Sequence, residues 1–170
     1  MAFPLLADAA FDTVFDLTAG ELLRRGIRGL LVDLDNTLAP YLQPDPDEAI
    51  QRWVRDMERG GVRVLIFSNN HEPRVARFSA PLGCKWLSEA GKPKPEAYEK
   101  GLCLLGLARE ETAAVGDQIF TDTIGARRFG MRMLLVRPVR LKGYPLYALR
   151  RVAELPFVWL THRGFREEQR

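Results

Sequence analysis

Apolar residues along this chain fall in short uninterrupted runs, separated by longer stretches in which apolar and polar positions alternate at helical spacing. Runs of that kind suit strands buried on both faces of a parallel sheet. Gly29-Leu30-Leu31-Val32 is the first, after a helix-like stretch carrying Leu22, Leu23 and Ile27. Val62–Phe67 is the second, and it follows Gly60-Gly61, a natural helix stop. Between them, Asp45 to Arg59 opens with Asp, Pro and further acidic residues, as helix N-termini do. Cys84–Leu87 predicts a short third strand beyond the Pro81–Gly83 turn, and Pro95 to Leu105 a helix. Thr112–Val115 predicts a fourth strand running into Gly116-Asp117, Asp122 to Phe129 a helix stopped by Gly130, and Met131–Val136 a fifth strand. This alternation, in repeats of roughly 25–30 residues, predicts an α/β fold: an open, doubly wound parallel sheet with right-handed crossovers. Beyond Pro138 the pattern loosens, and Tyr144 to Leu160 predicts one or two short helices.

Composition narrows the class without changing the fold. The chain has 170 residues, 46% hydrophobic and 28% charged, which predicts one globular domain and excludes collagen, coiled coil and wholesale disorder. No apolar run approaches a membrane span, and Met1 to Leu6 has no basic stretch ahead of its apolar residues, so no secretory signal is expected. Cys84 and Cys103 fit neither a C-x-x-C pair nor a disulfide framework, and they read as thiols of a reducing, cytoplasmic compartment.

Charge adds an asymmetry. Residues 127–170 hold eleven Lys or Arg against three Glu, a net +8, while residues 1–126 hold 14 basic and 19 acidic side chains, a net −5. A basic end on an acidic body predicts an anionic partner, membrane surface or nucleic acid, or simply a solvated helix face.

The chemistry-bearing residues collect at the predicted strand ends, where open α/β sheets place their ligands. The first strand ends in Asp33-Leu34-Asp35-Asn36-Thr37 and the second in Ser68-Asn69-Asn70. A loop beyond the third carries Gly91-Lys92-Pro93-Lys94-Pro95, and the fourth ends in Gly116-Asp117 with Asp122 five residues on. Carboxylates crowded into one crevice repel unless a cation neutralises them, and a hard, oxygen-bound Mg²⁺ is the economical choice. In that setting Asp33 can attack a phosphoryl group, since Mg²⁺ and Lys92 offset the repulsion between carboxylate and phosphate. Asp35 can protonate the leaving alkoxide and then activate water. Ser68, with Thr37 and Asn69 beside it, and Lys92 can hold the phosphoryl oxygens. Asp33, the Asp35 carbonyl and Asp117 would hold the metal. Asp122 reads equally as a ligand and as a helix-start carboxylate behind the metal. Lys94 competes with Lys92 for the ammonium role.

Asp33-x-Asp35-x-Thr37, Ser68, Lys92-Pro93 and Gly116-Asp117 with Asp122 resemble the four ordered motifs of the haloacid dehalogenase (HAD) phosphatases over residues 28–137. More narrowly, Leu31–Leu38, Phe67–Asn70, Gly91–Pro95 and Gly116–Asp122 resemble the bacterial YqeG branch of subclass IIIA, which is similar to mitochondrial phosphatidylglycerophosphate phosphatase. The resemblance implies a Rossmann-like fold, Mg²⁺ dependence, an aspartyl-phosphate intermediate and phosphomonoester hydrolysis. It favours Lys92 over Lys94.

Between Thr37 and Ser68 lie 30 residues, and between Ser68 and Lys92 lie 23, too few for a cap domain in either interval. An uncapped crevice suits a phosphate projecting from something large. The expected organisation is a phosphatase domain over residues 1–137 and a basic, aromatic-rich segment over 138–170. From the boundary onward the chain interleaves Arg137, Arg140, Lys142, Arg150 and Arg151 with Tyr144, Leu146, Tyr147, Leu149, Phe157 and Trp159. Such a mixture suits an anionic bilayer surface ahead of nucleic acid, or a face packed on the sheet. Phosphatidylglycerophosphate at the inner leaflet is the expected substrate. The alternatives are a phosphatase of nucleotides, nucleic-acid ends or phosphoproteins, and a nucleic-acid- or ribosome-associated binding protein on the same scaffold.

Overall fold

A computed structural model describes residues 5–139. The helices expected within Tyr144 to Leu160, and the basic and aromatic residues from Arg140 onward, lie outside the described residues; Arg137 pairs with Asp12 at 2.9 Å. The elements in chain order are β1 (Ala9–Phe11), α1 (Ala19–Arg24), β2 (Gly29–Val32), α2 (Glu48–Arg59), β3 (Arg63–Phe67) and α3 (Glu72–Ser79). They continue with β4 (Lys85–Leu87), α4 (Pro95–Leu105), β5 (Thr112–Gly116), α5 (Ile124–Phe129) and β6 (Arg132–Val136). The six strands form one sheet in the order β1-β6-β5-β2-β3-β4, every pair parallel.

The uninterrupted apolar strands follow from the two cores that the sheet separates. Leu30 and Val32 of β2, with Val64 and Ile66 of β3, point into one core, against Ile50, Trp53, Val54 and Met57 of α2 and Phe78 of α3. Leu31, Leu65 and Phe67 point the other way, against Ala97 and Tyr98 of α4 and Ala126 of α5. Alternate residues of one strand thus face opposite helical layers, and neither parity can be polar. Helix α2 shows the matching pattern: its buried residues recur at the i, i+3, i+4, i+7 spacing, and the Asp47 carboxylate caps it by accepting from Ile50 N–H at 2.9 Å.

The sequence predicts five strands, and the described residues form six. The extra one, β1, is only Ala-Ala-Phe and pairs with β6 at the sheet edge, Ala9 opposite Leu134 and Phe11 opposite Val136. The helix expected from Asp122 starts at Ile124, because Ile119–Thr123 forms a wider π-type turn first. Just after β1, Val14 is buried and Phe15 exposed. Neither the connection from β2 to β3 nor that from β3 to β4 holds an inserted domain. Among the described residues no helix is long and apolar enough to cross a membrane.

Strand order decides where ligands can sit. From central β2 the chain steps outward through β3 and β4, then returns to the other side of β2 as β5. That reversal opens a crevice at the carboxyl ends of β2 and β5.

Candidate active site

Asp33 follows β2 directly, and its backbone N–H donates to Val115 O of β5 at 2.9 Å, continuing the ladder for one residue. Asp117 follows β5 in the same way, so adjacent strands deliver two carboxylates side by side. Asn36 then takes a left-handed conformation (φ 64°), which Asn tolerates better than most side chains. Thr37 comes back beneath the pair. Its hydroxyl lies 3.3 Å from Asp33 Oδ2 and 3.3 Å from Asp117 Oδ1, one proton between two acceptors.

Lys92 enters from the loop after β4. Asn69 shapes that loop: its Oδ1 accepts from Gly91 N–H at 3.0 Å and Lys92 N–H at 2.8 Å, and its Nδ2 donates to Lys92 O at 3.0 Å. The Lys92 ammonium donates to Asp33 Oδ1 and to Asp122 Oδ1, both at 2.7 Å, and sits 5.1 Å from the Phe67 ring centre. Lys94, in contrast, is exposed and precedes α4. Asp122 is held at both oxygens, with Oδ2 accepting from Gln118 N–H at 3.2 Å. Two glycines make room for this arrangement. A Cβ on Gly116 would lie 2.4 Å from Asp122 Cγ, and one on Gly125 would lie 2.3 Å from the Tyr98 oxygen. The Tyr98 hydroxyl reaches the carbonyls of Thr121 and Asp122 at 3.3 and 3.2 Å, pinning the turn that carries Asp122.

The electrostatics are those of a buried charge cluster. Asp33, Asp117, Asp122, Thr37 and Lys92 are all nearly sealed from solvent. Burial raises the Asp33 carboxyl above the usual carboxylate range; Asp122 and Asp117 add to the rise and the Lys92 ammonium opposes it. Burial works against the charge on Lys92 as well, but Asp122 and Asp33 outweigh it and hold the ammonium protonated. Each of Asp33, Asp117 and Asp122 offers a carboxylate oxygen within 4.8 Å of the others. Three carboxylates around one ammonium leave two negative charges, the deficit that a divalent, oxygen-preferring cation fills. The donor set therefore fits Mg²⁺.

Ser68 is buried at the end of β3, where its Oγ accepts from Asn70 N–H at 3.1 Å and keeps its own proton to donate. Asp35 stands apart from the triad. Its Oδ2 accepts from Asn70 Nδ2 at 2.8 Å, and its Oδ1 takes a fork from Arg74 Nε and Nη2 at 3.1 and 2.9 Å. Arg74, Gln118 and Tyr98 were not legible as site residues.

A parallel sheet with its helices on both faces, and a Lys-bridged carboxylate cluster at its switch point, define a HAD-type hydrolase. A family model described as HAD-hydrolase-like matches residues 89–138. The Bacillus subtilis (strain 168) protein named "Probable phosphatase YqeG" is 36% identical over 134 residues, 79% of this chain and 78% of that one. With that match the chain belongs to the HAD phosphatase family, in its YqeG branch, and it is an enzyme of that class. Phosphatidylglycerophosphate phosphatase 1 of Arabidopsis thaliana is 28% identical over 151 residues, 82% of this chain and 42% of its own length. The fold matches a haloacid dehalogenase-like hydrolase from Brucella suis with a TM-score of 0.57 at 11% identity, over 74% of this chain and 88% of that one.

Proposed function

We propose that this phosphatase hydrolyses phosphomonoesters in two steps through Asp33, with Mg²⁺, and that its substrate is phosphatidylglycerophosphate at the inner face of the membrane. The observation that carries the mechanism is the placement of Asp33: it ends the central strand, touches an ammonium at 2.7 Å and shares its burial with two further carboxylates.

In the first step an Asp33 oxygen attacks phosphorus, the ester P–O bond breaks, and Asp35 protonates the leaving alkoxide. In the second, Asp35 takes a proton from water, which attacks the aspartyl phosphate and releases orthophosphate with Asp33 regenerated. The Lys92 ammonium and the Ser68 hydroxyl bind phosphoryl oxygens, Thr37 steadies Asp33, and Asn69 contributes through the loop that carries Lys92. Asp33, Asp117 and the Asp35 carbonyl would hold Mg²⁺, which when bound neutralises the cluster and polarises the phosphoryl oxygens. Asp122 orients Lys92, its Oδ1 accepting from the ammonium and its Oδ2 from the Gln118 N–H.

Three features support the lipid: the name carried by the Arabidopsis relative, the crevice left without an inserted domain, and the basic-aromatic sequence beyond Pro138. The test is phosphate release by the purified full chain. Phosphatidylglycerophosphate in mixed micelles is compared with a small aryl phosphate, with EDTA and Asp33→Asn as controls. Preference for the lipid, lost in both controls, is the expected result. Turnover of the aryl ester without lipid preference removes the substrate assignment, and no metal-dependent release from either ester overturns the mechanism.

A further inference from the structure

At the amino ends of β3 and β4, opposite the carboxylate cluster, lies a groove of about 520 Å³ bounded by α2 and the end of α4. Four cations line it: Arg55 and Arg59, one turn apart on α2, Arg63 at the start of β3, and Lys85 at the start of β4. Among the described residues Glu58 is the only carboxylate in the lining, and its Oε1 is committed to Val64 N–H at 2.8 Å. The lining therefore carries a net +3, although residues 1–126 together carry −5.

None of these four cations has a carboxylate partner among the described residues, unlike Arg74, Arg77 and Arg127 elsewhere. Arg63 Nη1 donates to Leu105 O at 2.7 Å and Lys85 Nζ to Leu104 O at 2.6 Å, which positions both without neutralising them. Among the described residues, the second Arg63 amino group, the other Lys85 protons and both α2 guanidinium groups have no hydrogen-bond acceptor. Val54, Leu82 and Leu104 add apolar surface to the lining. Unpaired cations at this density repel one another, and a multiply charged anion relieves them through charge-assisted hydrogen bonds.

The volume falls within the roughly 300–1,000 Å³ of small-molecule sites and exceeds what a lone phosphate needs. Guanidinium groups beside apolar side chains also suit a flat, weakly polar ring. We propose that this groove binds a nucleoside di- or triphosphate, its phosphates on Arg55, Arg59, Arg63 and Lys85 and its base against Leu82 and Leu104. It is a second site, independent of the phosphatase reading. The five residues of β3 put roughly 16 Å between it and Ser68, so its ligand does not touch Asp33.

Equilibrium dialysis of the full chain against ADP in EDTA tests this. One ADP per chain is expected. Arg55→Ala together with Arg59→Ala should weaken binding at least tenfold, about the loss of one or two charge-assisted hydrogen bonds. The same double variant should keep aryl phosphate hydrolysis and Tm. Asp33→Asn should leave ADP binding unchanged, and pyrophosphate should bind more weakly than ADP. Full ADP binding by the double arginine variant, or its loss in Asp33→Asn, overturns the assignment. Equal affinity for pyrophosphate and ADP overturns the nucleoside contact. A single-stranded RNA held by the same arginines in the absence of ADP binding reassigns the groove to nucleic acid.

Discussion

Gly116 ends β5 where Asp122 folds back over it, and the 2.4 Å between an added Cβ and Asp122 Cγ leaves no room for alanine. The obstacle is the very carboxylate that holds Lys92, so Gly116→Ala must displace it. The expected outcome is a fall in kcat of one to two orders of magnitude, together with a loss of about 1–3 kcal/mol from forced overpacking. Gly20 in α1 offers the contrast, with nothing within 4 Å of its Cβ position. There alanine should keep activity and gain up to about 1 kcal/mol, since glycine weakens a helix by that amount. Steady-state kinetics and urea unfolding on the two variants separate steric damage at the site from the general effect of adding a methyl group.

Helix α3 enters the chemistry through one residue. Besides its fork on Asp35, Arg74 donates from Nη1 to Gln43 O at 2.7 Å, tying the loop after β2 to the helix. Arg74→Lys keeps the charge but cannot reproduce the planar fork. It should lower kcat more than it raises KM, because the group misplaced is Asp35 rather than a substrate contact. Arg74→Ala should also cost about 1–3 kcal/mol by leaving Asp35 without its fork. Phosphate-release kinetics with the two variants read both effects. The sequence reveals the strand-end residues because each follows an apolar run and carries its own local pattern, as Asp33 and Asp117 do. Arg74 has no such marker. A single arginine on an amphipathic helix reads as a solvated face, and its partner lies 39 residues away. Strand β1 was hidden for a related reason: Ala-Ala-Phe has little strand character alone, and its conformation comes from pairing with β6. The π-type turn before α5 likewise depends on Tyr98, a contact from another helix.

Across the whole molecule, the charge cluster links stability to pH and metal. In the unfolded chain Asp33 ionises near its ordinary 3.8, while burial in the fold raises that value. The native state therefore binds more protons than the unfolded state across the window between the two. Metal-free stability must fall as pH climbs through that window. Mg²⁺ takes the place of the proton, so its stabilising effect should grow over the same range, reaching about 2.7 kcal/mol at a hundredfold excess over Kd. Thermal unfolding in EDTA and in Mg²⁺, at about pH 6 and about pH 8, measures this. An equal Mg²⁺ gain in Asp117→Asn would place the ion elsewhere. The parallel pairing of β2 with β5 has a mechanical consequence. Asp33 stands one residue beyond Val32 and Asp117 two residues beyond its partner Val115, so their spacing follows from the register of neighbouring strands, which repeat at roughly 4.8 Å. That repeat acts as a ruler no side-chain change can reset. The loops after β3 and β4 can drift in length and composition to suit a different leaving group while the reacting carboxylates keep their spacing.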